Sequence, residues 1–174
     1  MRPYLAAIFL VALSLPAAAQ RAQFLDDRSS AQQVVASYFN ALQMRQFARA
    51  YSYRLRAVAD VGQDELDRTY AAFRADMQPV TDLRYRLGEG FGDAGAGTYM
   101  TAFAVVTQAT YPDGSITVES GCILVKQVSP DAQDLVPFQP IRIAQITMHT
   151  THDRFNDAKM APCRNTTPDQ GGSP

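Results

Sequence analysis

The stretch VVASYFNALQMRQFARAY, residues 34–51, decides the architecture. Val34, Val35, Tyr38, Phe39 and Leu42 recur at the three- and four-residue steps that line one face of an α-helix. Gln32, Gln33, Ser37 and Asn40 fall largely between them and read as the wet side. A second periodic set, Phe47, Ala50, Tyr51 and Leu55, carries Arg45, Arg49, Arg54 and Arg56 on its polar side. The change of phase predicts a break near residues 44–46, giving two helices or one kinked helix. Upstream, Asp27 or Ser29 can cap the free amides of the helix start. Downstream, Gly62 marks a turn, acidic residues open a third helix, and Leu66, Tyr70, Phe73 and Met77 share its apolar face until Pro79 ends it.

From Val80 onward the period falls to two, the signature of strands. TDLRYRLGEG is a modest strand candidate and TYMTAFAVVTQATY a strong one, with Tyr99, Thr101, Phe103, Val105 and Thr107 on one face. The glycine-rich GEGFGDAGAG between them reads as a strand-to-strand loop. YPDG is a tight reversal into a return strand, SITVESGCILVKQV. SPDAQDLVPFQP is too rich in proline and acid to continue it, and its apolar LVPF is a candidate contact or lid. IRIAQITMHT supplies a last strand. The expectation is an α+β fold, about three N-terminal helices packed on a curved antiparallel sheet of about four strands.

The first residues, MRPYLAAIFLVALSLPAAAQ, carry one basic residue, Arg2, and a short apolar run from Leu5 to Leu15 closed by Pro16. Ala17, Ala18 and Ala19 supply the small residues a signal peptidase needs, which predicts cleavage between Ala19 and Gln20. The run is about half of the roughly 20 apolar residues a membrane-spanning helix requires. The expected organisation is a signal peptide over 1–19, a linker over 20–28, one domain over 29–163 and a polar, disordered tail over 164–174. The destination is periplasmic or secreted, in a bacterium, with no membrane anchor left after cleavage.

Across 174 residues, 16 basic and 17 acidic side chains give a net charge of −1, so phosphate-backbone attraction has no source and nucleic acid is not an expected partner. The two cysteines, Cys122 and Cys163, lie 41 positions apart in the exported part. In an oxidising compartment such a pair reads as a structural disulfide, worth about 3–4 kcal/mol in the chain-entropy account. A redox pair is usually closer, as in C-x-x-C.

SSAQQVVASYFNALQMRQFARAYSY, with Phe39, Ala41, Leu42, Ala50 and Tyr51 at the telling positions, resembles the opening of nuclear-transport-factor-2-like domains, the superfamily that also holds steroid isomerases and polyketide cyclases. The resemblance implies a cone-like roll with a cavity between the curved sheet and the helices. It also implies a homodimer through the outer sheet face. In that cavity the aromatic residues Tyr38, Tyr51, Tyr70, Phe73, Tyr99 and Phe103 are the candidate lining, with a tyrosine hydroxyl as polar handle on a ligand.

Enzymes of the superfamily need a base in the pocket and donors for a developing oxyanion. Glu119, an acid in mid-strand, and His149, beside Gln145 and Thr147 on one strand face, are the candidates. His149 and His152 are three apart, which sends them to opposite faces of a strand and argues against a shared metal. No nucleophile elbow, phosphate loop or dinucleotide fingerprint is present, and no cofactor is expected. Asn165 and Thr167 spell a glycosylation sequon. The leading expectation is an exported, non-enzymatic domain that binds a small apolar molecule or an envelope protein. An isomerase- or cyclase-like enzyme is the alternative, and a structural dimerisation module the second.

Overall fold

A computed structural model of the chain describes residues 23–54, 62–134, 136, 138–160 and 162–163. The leader and its cleavage point, Leu55, Arg56, Asp60, the sequon and the tail over 164–174 lie outside the described residues. Three helices, α1 (Ala31–Gln43), α2 (Phe47–Ser52) and α3 (Gln63–Met77), precede four strands, β1 (Asp82–Gly95), β2 (Thr98–Thr110), β3 (Ile116–Val128) and β4 (Arg142–Thr151). A 3₁₀ turn, Pro130–Ala132, begins the connection from β3 to β4.

The N-cap of α1 is Ser30, whose Oγ accepts from the Gln33 amide at 3.2 Å. Asp27 serves the amide of Ser29 instead, in a local turn at 2.8 Å. The break after α1 is a Schellman closure: the Gln46 amide reaches Ala41 O at 2.8 Å and the Arg45 amide reaches Leu42 O at 2.9 Å. Arg45 stands at φ 57°, where glycine is usual. Its guanidinium is thereby aimed at the end of α3, where it donates to Val80 O and, at 2.9 Å, to Gln78 O. An arginine that the sequence places on a wet face is a brace between two helices.

The sheet is an antiparallel meander in the order β1-β2-β3-β4, curved and unclosed. The glycine-rich segment expected as a loop is strand: pairing runs from Gly90 opposite Phe103 to Gly95 opposite Thr98, and only Ala96 and Gly97 turn. Glycines hide the two-residue alternation there, and Gly90 is needed because a Cβ would stand 2.6 Å from the Phe103 ring. Register slips between Leu87 and Gly90 and again between Leu124 and Val125 interrupt the ladders, and such bulges bend a sheet. The helix-facing side carries Phe103, Val105, Ile123, Val125 and Ile143, which meet Val34, Val35, Tyr38 and Phe39 of α1 in one core. Phe39 stacks on Tyr85 of β1, with centroids 4.2 Å apart.

Ser37 and Asn40, expected on the wet side of α1, are buried. They hold residues 23–28, the described part of the segment expected as a linker over 20–28, against the helices. Ser37 Oγ accepts from the Asp27 amide at 2.8 Å. Asn40 accepts from the Leu25 amide at 2.9 Å and donates to Gln23 O at 2.7 Å. Arg49 adds a bond to Asn40 Oδ1 at 2.9 Å. Replacing Asn40 by alanine strands the Leu25 amide and the Gln23 carbonyl, so Asn40→Ala is expected to lower unfolding free energy by about 2–3 kcal/mol, read as a shift of the urea midpoint.

The helix-free face of the sheet is covered by the chain itself. Phe155 sits beneath Arg84 and Arg86, whose guanidinium carbons are 4.7 and 5.4 Å from its ring centroid. Arg86 also donates to Ala158 O at 2.6 Å. Phe155 and Ala158 pack on Val106 and Val118, and Cys163 on Ala102, Ala104 and Leu124. Cys163 is joined to Cys122 with an S–S distance of 1.98 Å, the pairing read from the sequence. The surface that the resemblance offers for a homodimer is thus occupied over β2 and β3 by the C-terminal segment. No helix among the described residues is long and apolar enough to cross a membrane.

Candidate functional site

α3 buries one side chain fully, Phe73, with Tyr70 and Met77 partly buried against the same core, and it packs on α2 while leaving a gap toward β4. The gap is a solvent-open cavity of about 530 Å³ lined by Tyr38 of α1, Tyr51 of α2, Arg54 just beyond α2, Thr69, Phe73, Asp76 and Met77 of α3, and Ile146 of β4, with Arg54, Thr69 and Asp76 exposed at its mouth. Residues 69, 73, 76 and 77 follow the four- and three-residue steps that put side chains on one helix stripe. β4 delivers Ile146 because it pairs with Ile123 on the helix-facing side.

One wall is an aromatic group. The Tyr51 ring lies 5.3 Å from Phe73 and 5.5 Å from Tyr70, centroid to centroid. The Tyr51 hydroxyl donates to Thr69 Oγ1 at 2.5 Å, while the Thr69 hydroxyl donates in turn to Glu65 O at 2.7 Å. That wall is saturated as a donor. Tyr38 differs: it is only 5 % exposed, lines the cavity, and its hydroxyl has no hydrogen-bond partner among the described residues. Burial pushes its pKa up to about 12, with the Arg54 charge pulling the other way. The Arg54 guanidinium lies 5.4 Å from the Phe73 centroid. Aromatic and aliphatic walls, one unused tyrosine donor and the charged pair of side chains Arg54 and Asp76 in the lining can hold an apolar body with a polar end.

Of the lining expected from sequence, Tyr38, Tyr51 and Phe73 are in the wall, and Tyr70 stands behind Tyr51. Tyr99 is 46 % exposed at the far end of β2, and Phe103 is a core residue against Gly90. Glu119 faces the helix side opposite Thr107 and Thr150, four residues along β4 from Ile146. At about 3.3 Å per residue that is roughly 13 Å from the cavity wall. His149 needs correction as a cavity base. It pairs with Ser120, two residues from Cys122, on the helix-free face with Gln145 and Thr147, and it is exposed. The bulge at Leu124 and Val125 sets that phase, and sequence spacing does not reveal a bulge. His152 lies past the end of β4.

Arg54, Thr69 and Asp76 are lining residues that the sequence reading assigned to wet faces or passed over. Their signal was their spacing from Tyr51 and Phe73, one helical step away on each side. Among the described residues no group of three or more histidines, cysteines or carboxylates is placed to hold a metal ion.

No protein-family model matches the sequence, and no curated protein matches it. Solved structures do resemble it. The Kfla4162 protein of Kribbella flavida is 12 % identical, with 70 % of this chain and 88 % of that one covered, at a TM-score of 0.50. A candidate scytalone dehydratase of Novosphingobium aromaticivorans is 11 % identical over 78 % of this chain and 91 % of its own, at 0.48. An NTF2-like protein of unknown function from an Exiguobacterium species is 14 % identical over 64 % and 96 %, at 0.37. At such identities the likeness is one of fold. Three helices followed by a curved, unclosed antiparallel meander are consistent with the nuclear-transport-factor-2-like cone, the class that the opening residues resemble. A fold of this class hosts enzymes and ligand-binding domains alike, so the activity must be argued from the cavity.

Proposed function

We propose that the protein is an exported, non-enzymatic domain whose cone cavity binds a small apolar molecule carrying an acceptor oxygen. The observation that carries this reading is Tyr38, 5 % exposed, whose hydroxyl has no hydrogen-bond partner among the described residues and stands in the wall of a cavity of about 530 Å³. A ligand acceptor facing the cavity would pair that free donor. Phe73, Met77 and Ile146 supply the apolar contact, and Arg54 and Asp76 give the lining one charge of each sign, which suits a ligand with a polar end. Export rests on the leader over residues 1–19 and on a cysteine pair suited to an oxidising compartment. The enzyme alternative is weaker because Glu119 and His149 are not among the lining residues. A second reading, contact with an envelope protein, draws on Val136 and Phe138, which are 98 % and 67 % exposed in the connection before β4.

The test is titration with 8-anilinonaphthalene-1-sulfonate, an apolar ring system with one anionic group. Saturable binding with one site per chain is expected, weakened about fivefold in Tyr38→Phe, the loss of one hydrogen bond. Ile146→Trp, which fills the cavity, is expected to abolish it. Binding that is unsaturable, or unchanged in both variants, contradicts the reading.

A further inference from the structure

Four polar side chains stand in one row across the helix-facing side of the sheet. The strand registers set Tyr85 of β1 opposite Thr107 of β2, Thr107 opposite Glu119 of β3, and Glu119 opposite Thr150 of β4. Directly opposed residues on one face carry their Cβ atoms about 5 Å apart. Thr107 is buried, Tyr85 and Glu119 are half-buried and Thr150 is exposed, so the row is sunk at its centre and open at β4. The rows on either side differ in kind: Leu83, Ala109 and Thr117 on one, Leu87, Val105, Gly121 and Met148 on the other, none of them charged.

Thr107, Glu119 and Thr150 make no side-chain hydrogen bond or ion pair among the described residues. Among those residues the one fully buried side-chain nitrogen or oxygen without a partner is Arg86 Nε, so the Thr107 hydroxyl and the Glu119 carboxylate still meet the surface. Gly121, the next residue along that face of β3, puts no side chain beside Glu119 and leaves room there. The Tyr85 ring, stacked on Phe39, closes the β1 end. A carboxylate on an inner strand with a hydroxyl on each flank makes three neighbouring acceptors, with no cation in the row.

We propose that this row is a second binding site, separate from the Tyr38 cavity, and that it takes the primary ammonium group of a small molecule. A primary ammonium has three N–H donors for the three acceptors. The Glu119 carboxylate supplies the opposite charge, and the Thr107 and Thr150 hydroxyls accept the two remaining bonds. The carbon body of the ligand lies toward Gly121 and Met148. A quaternary ammonium has no N–H, leaves both hydroxyls unused and binds poorly.

Titration of the isotope-labelled protein with phenylethylammonium chloride, followed by NMR, tests the site. Saturable shifts centred on the amides of Thr107, Glu119 and Thr150 are expected. Glu119→Gln is expected to weaken binding at least tenfold, and Thr107→Val and Thr150→Val about fivefold each, the loss of one hydrogen bond. Thr150 is exposed, so its variant reads the contact without putting the fold at stake. Phenylethyltrimethylammonium, with the same ring and charge but no N–H, is expected to bind at least tenfold more weakly than the primary amine. Ile146→Trp, which fills the Tyr38 cavity, is expected to leave the affinity unchanged, so the two sites stand or fall separately. No saturable shift at millimolar probe, equal affinity for the two ammonium compounds, full affinity in Glu119→Gln, or loss of binding in Ile146→Trp each overturns the proposal.

Discussion

Gly121→Ala is expected to lower the unfolding free energy by about 3 kcal/mol or more, a large part of the ~5–15 kcal/mol that holds a domain together. A Cβ at this position would stand 1.9 Å from Thr147 O and 2.9 Å from Met148 Cα. Both atoms are β4 backbone, so no rotamer change relieves the clash. Gly121 pairs with Val105 on one side and Met148 on the other, in an inner strand that cannot slide without moving its neighbours. The displaced strand would be the one that brings Ile146 to the cavity. Urea unfolding followed by circular dichroism measures the loss. Gly62→Ala is the control, since nothing lies within 4 Å of a Cβ there, and its midpoint is expected to stay within about 0.5 kcal/mol of the parent. Equal midpoints for the two variants would contradict the close approach of β4 to β3.

The second large effect is alkaline. Burial holds Tyr38 in its neutral form, with a folded pKa of about 12 against an ordinary value of 10.0. A folded pKa above the unfolded one means that the folded state keeps its proton longer. Stability from this group is therefore complete below the unfolded value and is lost as pH climbs through the folded one. At 1.36 kcal/mol per pKa unit, roughly 3 kcal/mol should disappear between about pH 10 and about pH 12. Burial also raises Tyr53 and Tyr85, so the parent protein loses more than this alone. The difference between parent and Tyr38→Phe in urea midpoints across that window isolates Tyr38. Parallel pH profiles for the two proteins would show that the hydroxyl is wet rather than buried.

The helices were legible because Val34, Val35, Tyr38, Phe39 and Leu42 repeat with the period of the buried face they form. β2 and the turn at Tyr111–Gly114 were legible for similar reasons, strict alternation and turn chemistry. The second half of β1 was not, because four glycines leave no side chains to alternate, and its strand character comes from pairing with β2. Ser37, Asn40 and Arg49 were misread as wet because polarity alone does not say whether a side chain meets water or a neighbouring backbone. The pocket lining divides along the same line. Tyr38, Tyr51 and Phe73 belong to apolar stripes that the sequence displays; Arg54, Thr69 and Asp76 border those stripes and carry no such pattern. His149 was assigned to the wrong face because a bulge shifts the phase of β4. The C-terminal cover announced itself only through its cysteine, since Phe155 and Ala158 follow no periodic pattern.

The measurement that bears most directly on the cavity is native mass spectrometry of the protein purified from its own cells, beside its denatured, unreduced mass. The account predicts a native mass above that of a polypeptide starting at Gln20 by one small molecule per chain, lost on denaturation and retained less well by Tyr38→Phe. A native mass equal to that of the bare polypeptide, in parent and variant alike, would contradict the claim that the cavity is a binding site.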